Sequence, residues 1–88
     1  MKVEFKSSFA KDLKKVKDKD LKTRVKQVIE LVEKAKSFQD VKDAKKLKGG
    51  DGYYRIRVGD HRLGLTLAGD SVTFVRFLPR KDIYKYFP

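Results

Sequence analysis

Tyr53-Tyr54-Arg55-Ile56-Arg57-Val58-Gly59-Asp60-His61-Arg62-Leu63-Gly64-Leu65-Thr66-Leu67-Ala68 is the stretch on which the fold turns. On either side of Gly59-Asp60 the apolar residues recur at every second position. Period two is the signature of a strand, and a Gly-Asp pair between two such runs predicts a tight hairpin turn. Tyr54, Ile56 and Val58 then share one face of the first strand, and Tyr53, Arg55 and Arg57 the other. In the second strand Leu63, Leu65 and Leu67 share a face, opposite Arg62, Gly64, Thr66 and Ala68. A two-residue turn fixes the register, so whichever face is buried, the whole set goes with it. The leucine face is the natural one to cover, which leaves Arg55, Arg57 and Arg62 together on the other.

Downstream, Gly69-Asp70 repeats the turn and Ser71 to Leu78 predicts a third strand. Pro79 ends it, because proline has no amide to donate. Val72, Phe74 and Leu78 favour one face and Val75 and Phe77 the other, so Arg76 belongs either with the arginine cluster or at an edge. Arg80 to Phe87 reads as a terminal helical turn, with Ile83, Tyr84 and Phe87 at helical spacing. Upstream, Gly49-Gly50-Asp51-Gly52 is a turn signal. Residues 37–48 read as irregular, anchored by Phe38, Val41 and Leu47. Before them the period is helical. Leu21, Val25, Val28, Ile29 and Val32 form a stripe over about four turns, and Phe9, Leu13 and Val16 mark a shorter helix. Ser7 and Ser8 offer caps for the first helix and Asp20 for the second. Lys2 to Lys6 alternates and predicts a short strand. The expected order is β-α-α-β-β-β-α, an α+β domain over residues 1–88, with a helical hairpin on one face of a mainly antiparallel sheet.

The 88 residues hold 23 Lys and Arg against 12 Asp and Glu, a formal net charge of +11. Such a surface attracts polyanions, nucleic acid first and an anionic membrane second. There is no cysteine, so disulfide and thiolate chemistry are excluded. The N-terminus lacks the apolar run of a signal peptide, and no stretch approaches the roughly 20 apolar residues of a spanning helix. A cytoplasmic protein without membrane contact is expected. The acidic residues are dispersed through turns, without the clustering of a two-metal nuclease. His61 is the only histidine, so a histidine dyad is excluded, and alternation turns it toward the leucine face or its rim. Lysine dominates the helices, whereas residues 51–88 carry five Arg and two Lys. A guanidinium grips phosphate in a planar fork and keeps its charge, which suits a phosphodiester site.

The runs Leu47-Lys48-Gly49, Tyr53 to Leu63 and Arg80-Lys81-Asp82-Ile83-Tyr84, with the element order, resemble the RelE toxins of the RelE/ParE superfamily. The resemblance covers essentially the whole chain. It implies a ribosome-dependent mRNA endonuclease toxin that inhibits translation from the ribosomal A site, with no metal or other cofactor. In such enzymes the 2′-hydroxyl of the RNA attacks the adjacent phosphate. Residue by residue, Arg62, Arg80 and Tyr84 match the catalytic positions: Tyr84 to orient or deprotonate the 2′-hydroxyl, Arg62 and Arg80 to stabilise developing charge. Arg55 and Arg57 match the basic strand residues that hold flanking phosphates, and Lys48, Arg76 and Lys81 extend the RNA-binding set. Pro79 departs from the pattern, since many relatives carry a histidine there. The implied partners are mRNA on the ribosome, 16S/23S rRNA and a cognate RelB-like antitoxin. A ParE-like toxin of gyrase and a non-catalytic basic RNA-binding module are the alternatives. The enzymatic reading requires the arginines and the Tyr84 phenol to converge on one exposed concavity.

Overall fold

The computed structural model describes all 88 residues. Its elements are β1 (Lys2–Phe5), α1 (Ser7–Lys15), α2 (Lys19–Lys34), a 3-10 turn (Phe38–Asp40), β2 (Ala44–Lys46), β3 (Tyr53–Val58), β4 (His61–Ala68), β5 (Ser71–Pro79) and α3 (Arg80–Tyr86). Five strands form one sheet in the order β1-β5-β4-β3-β2. The β2–β3, β3–β4 and β4–β5 ladders are antiparallel, while β1 runs parallel to β5. The fold is the α+β arrangement expected from the sequence, with one added strand.

The leucine face is the buried one. Ile56, Val58, Leu63, Leu65, Val72, Phe74 and Phe77 meet Phe9 of α1 and Val25 and Val32 of α2 in a single apolar core. Phe5, Phe9 and Phe74 stack at ring separations of 5.6 to 5.8 Å, which ties β1 and α1 to β5.

Four local expectations are corrected. Neither Ser7 nor Ser8 caps α1: its N-cap is Lys6, without a side-chain bond. Asp18 rather than Asp20 caps α2, its carboxylate accepting from the amides of Asp20 and Leu21 at 2.9 and 3.2 Å. The region read as irregular contains β2, where Lys45 lies across from Arg55. The glycine turn that follows joins two paired strands and so demands a strand before it. Finally, Phe77 lies in the core and Leu78 across from Arg62, the reverse of the simple alternation. The cause is a β-bulge. Gly64 pairs with Arg76 and Leu65 with Phe74, so Val75 has no partner and the faces exchange beyond it.

Helix α1 answers the bulge. β1 stops pairing at Phe74, so the outer edge of β5 beyond it has no neighbouring strand. Ser8 Oγ donates to the Val75 carbonyl at 2.6 Å, and Asp12 Oδ2 accepts from the Phe77 amide at 2.9 Å. Positions i and i+4 of a helix lie about as far apart as i and i+2 of a strand, so one helix face serves two consecutive edge groups.

The second face of the sheet is closed in part by α3. Ile83 and Phe87 are buried beneath it. Phe87 sits on Gly64, where a Cβ would approach its ring to 2.7–2.9 Å, and meets Tyr53 edge-on at 5.7 Å. Glycine at position 64 is therefore a requirement of α3 docking.

Candidate functional site

Cross-strand register builds the polar face. Arg57 lies directly opposite Arg62, and Arg55 opposite Gly64. On β2, Lys45 continues the row outward from Arg55. The β3–β4 turn then brings α3 to the same place. The Arg80 amide donates to the Asp60 carbonyl at 2.8 Å, so α3 starts at the hairpin that carries Arg62. Tyr84 follows Arg80 by one helical turn, and both are exposed while Ile83 and Phe87 are buried.

Arg62 is the centre. It is only 8% exposed and lies on the face that α3 closes, opposite the helical hairpin. Its Nη1 donates to the carbonyls of Gly59 and His61 at 3.1 and 2.9 Å, which folds the side chain back toward the turn. Its Nε is buried and has no hydrogen-bond partner. Burial lowers the Arg62 pKa, the nearby charges of Arg55, Arg57 and Arg80 lower it further, and Tyr84 raises it. The guanidinium still remains charged at any physiological pH. Three arginines and a phenol thus act on the Arg62 guanidinium. An orphaned donor costs about 1–3 kcal/mol, and an anion bound over the arginine face would offset the like-charge repulsion.

Around this centre the surface is open. Tyr84 is 58% exposed and stands between two concavities. On one side it borders a groove of about 390 Å³ with Lys45, Lys46, Lys48 and Arg55. On the other it borders a shallow hollow with Arg80, Lys81 and Asp60. Of the residues picked from the sequence, Arg55 and Lys48 line the groove, Arg80 and Lys81 line the hollow and Tyr84 borders both, whereas Arg57 and the buried Arg62 line neither, so the single concavity expected from the sequence is replaced by two with Tyr84 between them. Lys45 and Lys46 were missed, because β2 was read as irregular. Lys46 also pairs with Asp51 at 3.8 Å, an exposed contact worth little.

Arg76 does not join them. Its Nε and Nη2 donate to the Asp12 carboxylate at 2.7 and 3.0 Å, and the carboxylate is buried. The bulge places Arg76 at the free edge of β5, so α1 captures it. The hydrogen bond to Asp12, outweighing burial, raises its pKa. His61 faces the core side as expected, stacked on Phe77 at 4.9 Å, and burial lowers its pKa against the opposing charges of Asp60 and Asp18. It lies apart from the arginine centre. Pro79 is the last ladder residue of β5 and the residue before α3.

The family model for the ParE toxin of type II toxin–antitoxin system, parDE, matches residues 3–84. Toxin RelE3 of Methanocaldococcus jannaschii is 48% identical over 89 aligned positions that span all of both chains. The structure of the RelB-RelE antitoxin-toxin complex from Methanococcus jannaschii contains a chain 45% identical to this one, with a TM-score of 0.80 over 97% of this chain and 99% of that one. A chain of the archaeal RelE-RelB complex from Pyrococcus horikoshii shares the fold at 22% identity, with a TM-score of 0.72 over 90% and 93% of the two chains. With a family match over nearly its whole length and a full-length relative at 48% identity, the chain belongs to the RelE/ParE family of type II toxin–antitoxin toxins.

Proposed function

We propose that the protein is an mRNA endonuclease that acts on the translating ribosome and cleaves by attack of the RNA's own 2′-hydroxyl. The observation that carries this reading is the buried Arg62, with an unpartnered Nε, three further arginines acting on it and an exposed phenol alongside. A scissile phosphate beside Arg62 would be held by fixed donors, which need no rearrangement as charge grows on its oxygens. Tyr84 takes the proton of the 2′-hydroxyl or orients it. The bond from the 2′-oxygen to phosphorus forms as the bond to the 5′-oxygen breaks, and the departing oxygen takes a proton from water. The products are a 2′,3′-cyclic phosphate and a 5′-hydroxyl. Arg80 shares the charge of the pentacoordinate phosphorus with Arg62. Arg55 and Arg57 hold adjacent phosphates, and Lys48 and Lys81 extend the track on either side of Tyr84.

The protein partner proposed on this reading is a RelB-like antitoxin, by analogy with the RelB-RelE complex of Methanococcus jannaschii. The matching family model carries the ParE name, and a gyrase-directed toxin is the second reading. It makes no use of the Arg62–Tyr84 arrangement. The two separate in one experiment: translation of a defined mRNA with purified protein and ribosomes, followed by mapping of new 5′ ends. Codon-positioned cuts that vanish in Arg62→Ala and Tyr84→Phe support the nuclease. Intact message in the presence of ribosomes, with supercoiling by gyrase inhibited instead, rejects it.

A further inference from the structure

We infer that Asp12, Arg76 and Tyr86 form a positioning latch that fixes the roll of α3 about its axis and so sets where Tyr84 stands over the arginine face. The inference rests on the nuclease reading for its bearing on cleavage, but its mechanical part stands on geometry alone. Helix α3 has seven residues, too few to be stable without its contacts. Its underside is fixed by Ile83 and Phe87, and its start by the Arg80–Asp60 bond. Those contacts define an axis and a seat. A short helix resting on two apolar side chains still rocks unless a flank is held.

One flank is held by Arg76. Its guanidinium lies 5.8 Å from the centre of the Tyr86 ring, within reach of a cation–π contact. Tyr86 follows Tyr84 by two residues, which places the two rings on opposite flanks of the helix. A rotation that carries Tyr86 away from Arg76 therefore carries Tyr84 toward or away from Arg62.

Arg76 is itself immobile. Both of its donating nitrogens are held by a carboxylate whose side chain is only 6% exposed, and the same carboxylate is held by the Phe77 amide. A planar fork held at two points has a defined plane, on which a ring can rest; a lysine would offer a mobile point charge. The chain of contacts runs from α1 through Asp12 to the edge of β5, and from Arg76 to α3. None of the three side chains reaches the Arg62 centre, so they are positioning residues.

The test uses Tyr86→Ala, Tyr86→Phe and Arg76→Lys in the full chain, because Tyr86 is 61% exposed and its truncation leaves the core intact. Amide hydrogen exchange of Tyr84 to Phe87 is expected to rise about two- to fivefold in Tyr86→Ala and Arg76→Lys, the worth of an exposed cation–π contact, and to stay at the parent value in Tyr86→Phe. Protection of β3 and β4 is expected to be unchanged in Tyr86→Ala. Cleavage on ribosomes is expected to show kcat lowered at least about fivefold with KM unchanged in Tyr86→Ala, and restored in Tyr86→Phe. Unaltered exchange in Tyr86→Ala overturns the latch, as does a rise spread evenly over the whole chain. Failure of the parent protein to cut message removes the nuclease reading instead, while the exchange data still decide the latch.

Discussion

At Arg62 the fold buries a permanent cation, leaves one donor without a partner and surrounds it with like charge. The orphaned donor and the like charge oppose folding and offset the two hydrogen bonds from Nη1, so removal of the side chain separates function from stability. Arg62→Ala is expected to slow single-turnover cleavage by about 10²- to 10³-fold, while the urea midpoint holds or rises. A fall in both together would make Arg62 merely structural. Gly64→Ala acts on the same site from below. Its methyl group meets the Phe87 ring, lifts α3 and is expected to cost about 1–3 kcal/mol locally, read as lost protection of Tyr84 to Phe87 with the β3–β4 ladder still protected. His61 gives a pH signature. Burial holds its folded pKa low, so the unfolded chain binds the proton more readily. Its contribution is complete above the unfolded value of about 6.5 and declines as pH falls through that value toward the lower folded one. The loss of urea stability on acidification is therefore expected to be smaller in His61→Gln than in the parent. The shared face of Arg55, Arg57 and Arg62 was legible in the sequence because period two assigns faces, whereas Arg80 and Tyr84 were picked by family resemblance. The burial of Arg62 was not legible, since it depends on α3 folding back over a face that alternation alone leaves open.

Among the elements, the turns Gly59-Asp60 and Gly69-Asp70 made β3, β4 and most of β5 legible, both glycines adopting the positive φ such turns need. The bulge at Val75 was not legible, because an extra residue leaves composition and local propensity unchanged and alters only the pairing. That hidden residue also decided the fate of Arg76, turning it from a candidate phosphate ligand into the partner of Asp12. β2 escaped because Ala44-Lys45-Lys46 is too short to show alternation. Asp12 gave no signal at all: a single acid on a lysine-rich helix reads as a solvated residue. Its removal is nonetheless expected to cost about 3 kcal/mol, since Asp12→Ala leaves the Arg76 fork and the Phe77 amide without their acceptor. Urea unfolding measures it, and a loss below about 1 kcal/mol would mean that the edge of β5 is adequately solvated without α1.

Across the whole molecule, the net charge of +11 is divided between lysine-rich helices and an arginine face on the opposite side of the sheet. Charge alone pointed to a polyanion; the division sets the arginine face as the place where the proposed RNA would bind. Binding of a single-stranded RNA is expected to weaken with salt by a slope of roughly 0.7 per phosphate contacted, so Arg57→Ala lowers the slope by about that amount and Lys22→Ala, exposed on α2, leaves it unchanged. Equal effects from the two substitutions would spread the binding over the surface. The parallel pairing of β1 with β5 bears on how the chain is made. Lys2 joins Ser71, so the first strand synthesised has no place in the sheet until the last one has left the ribosomal tunnel. Until then Phe5 and Phe9 lack Phe74, and the apolar stripe of α2 lacks most of its floor. Nascent chains halted before Ser71 should therefore remain open to protease along their whole exposed length, and the molecule should close in one late step.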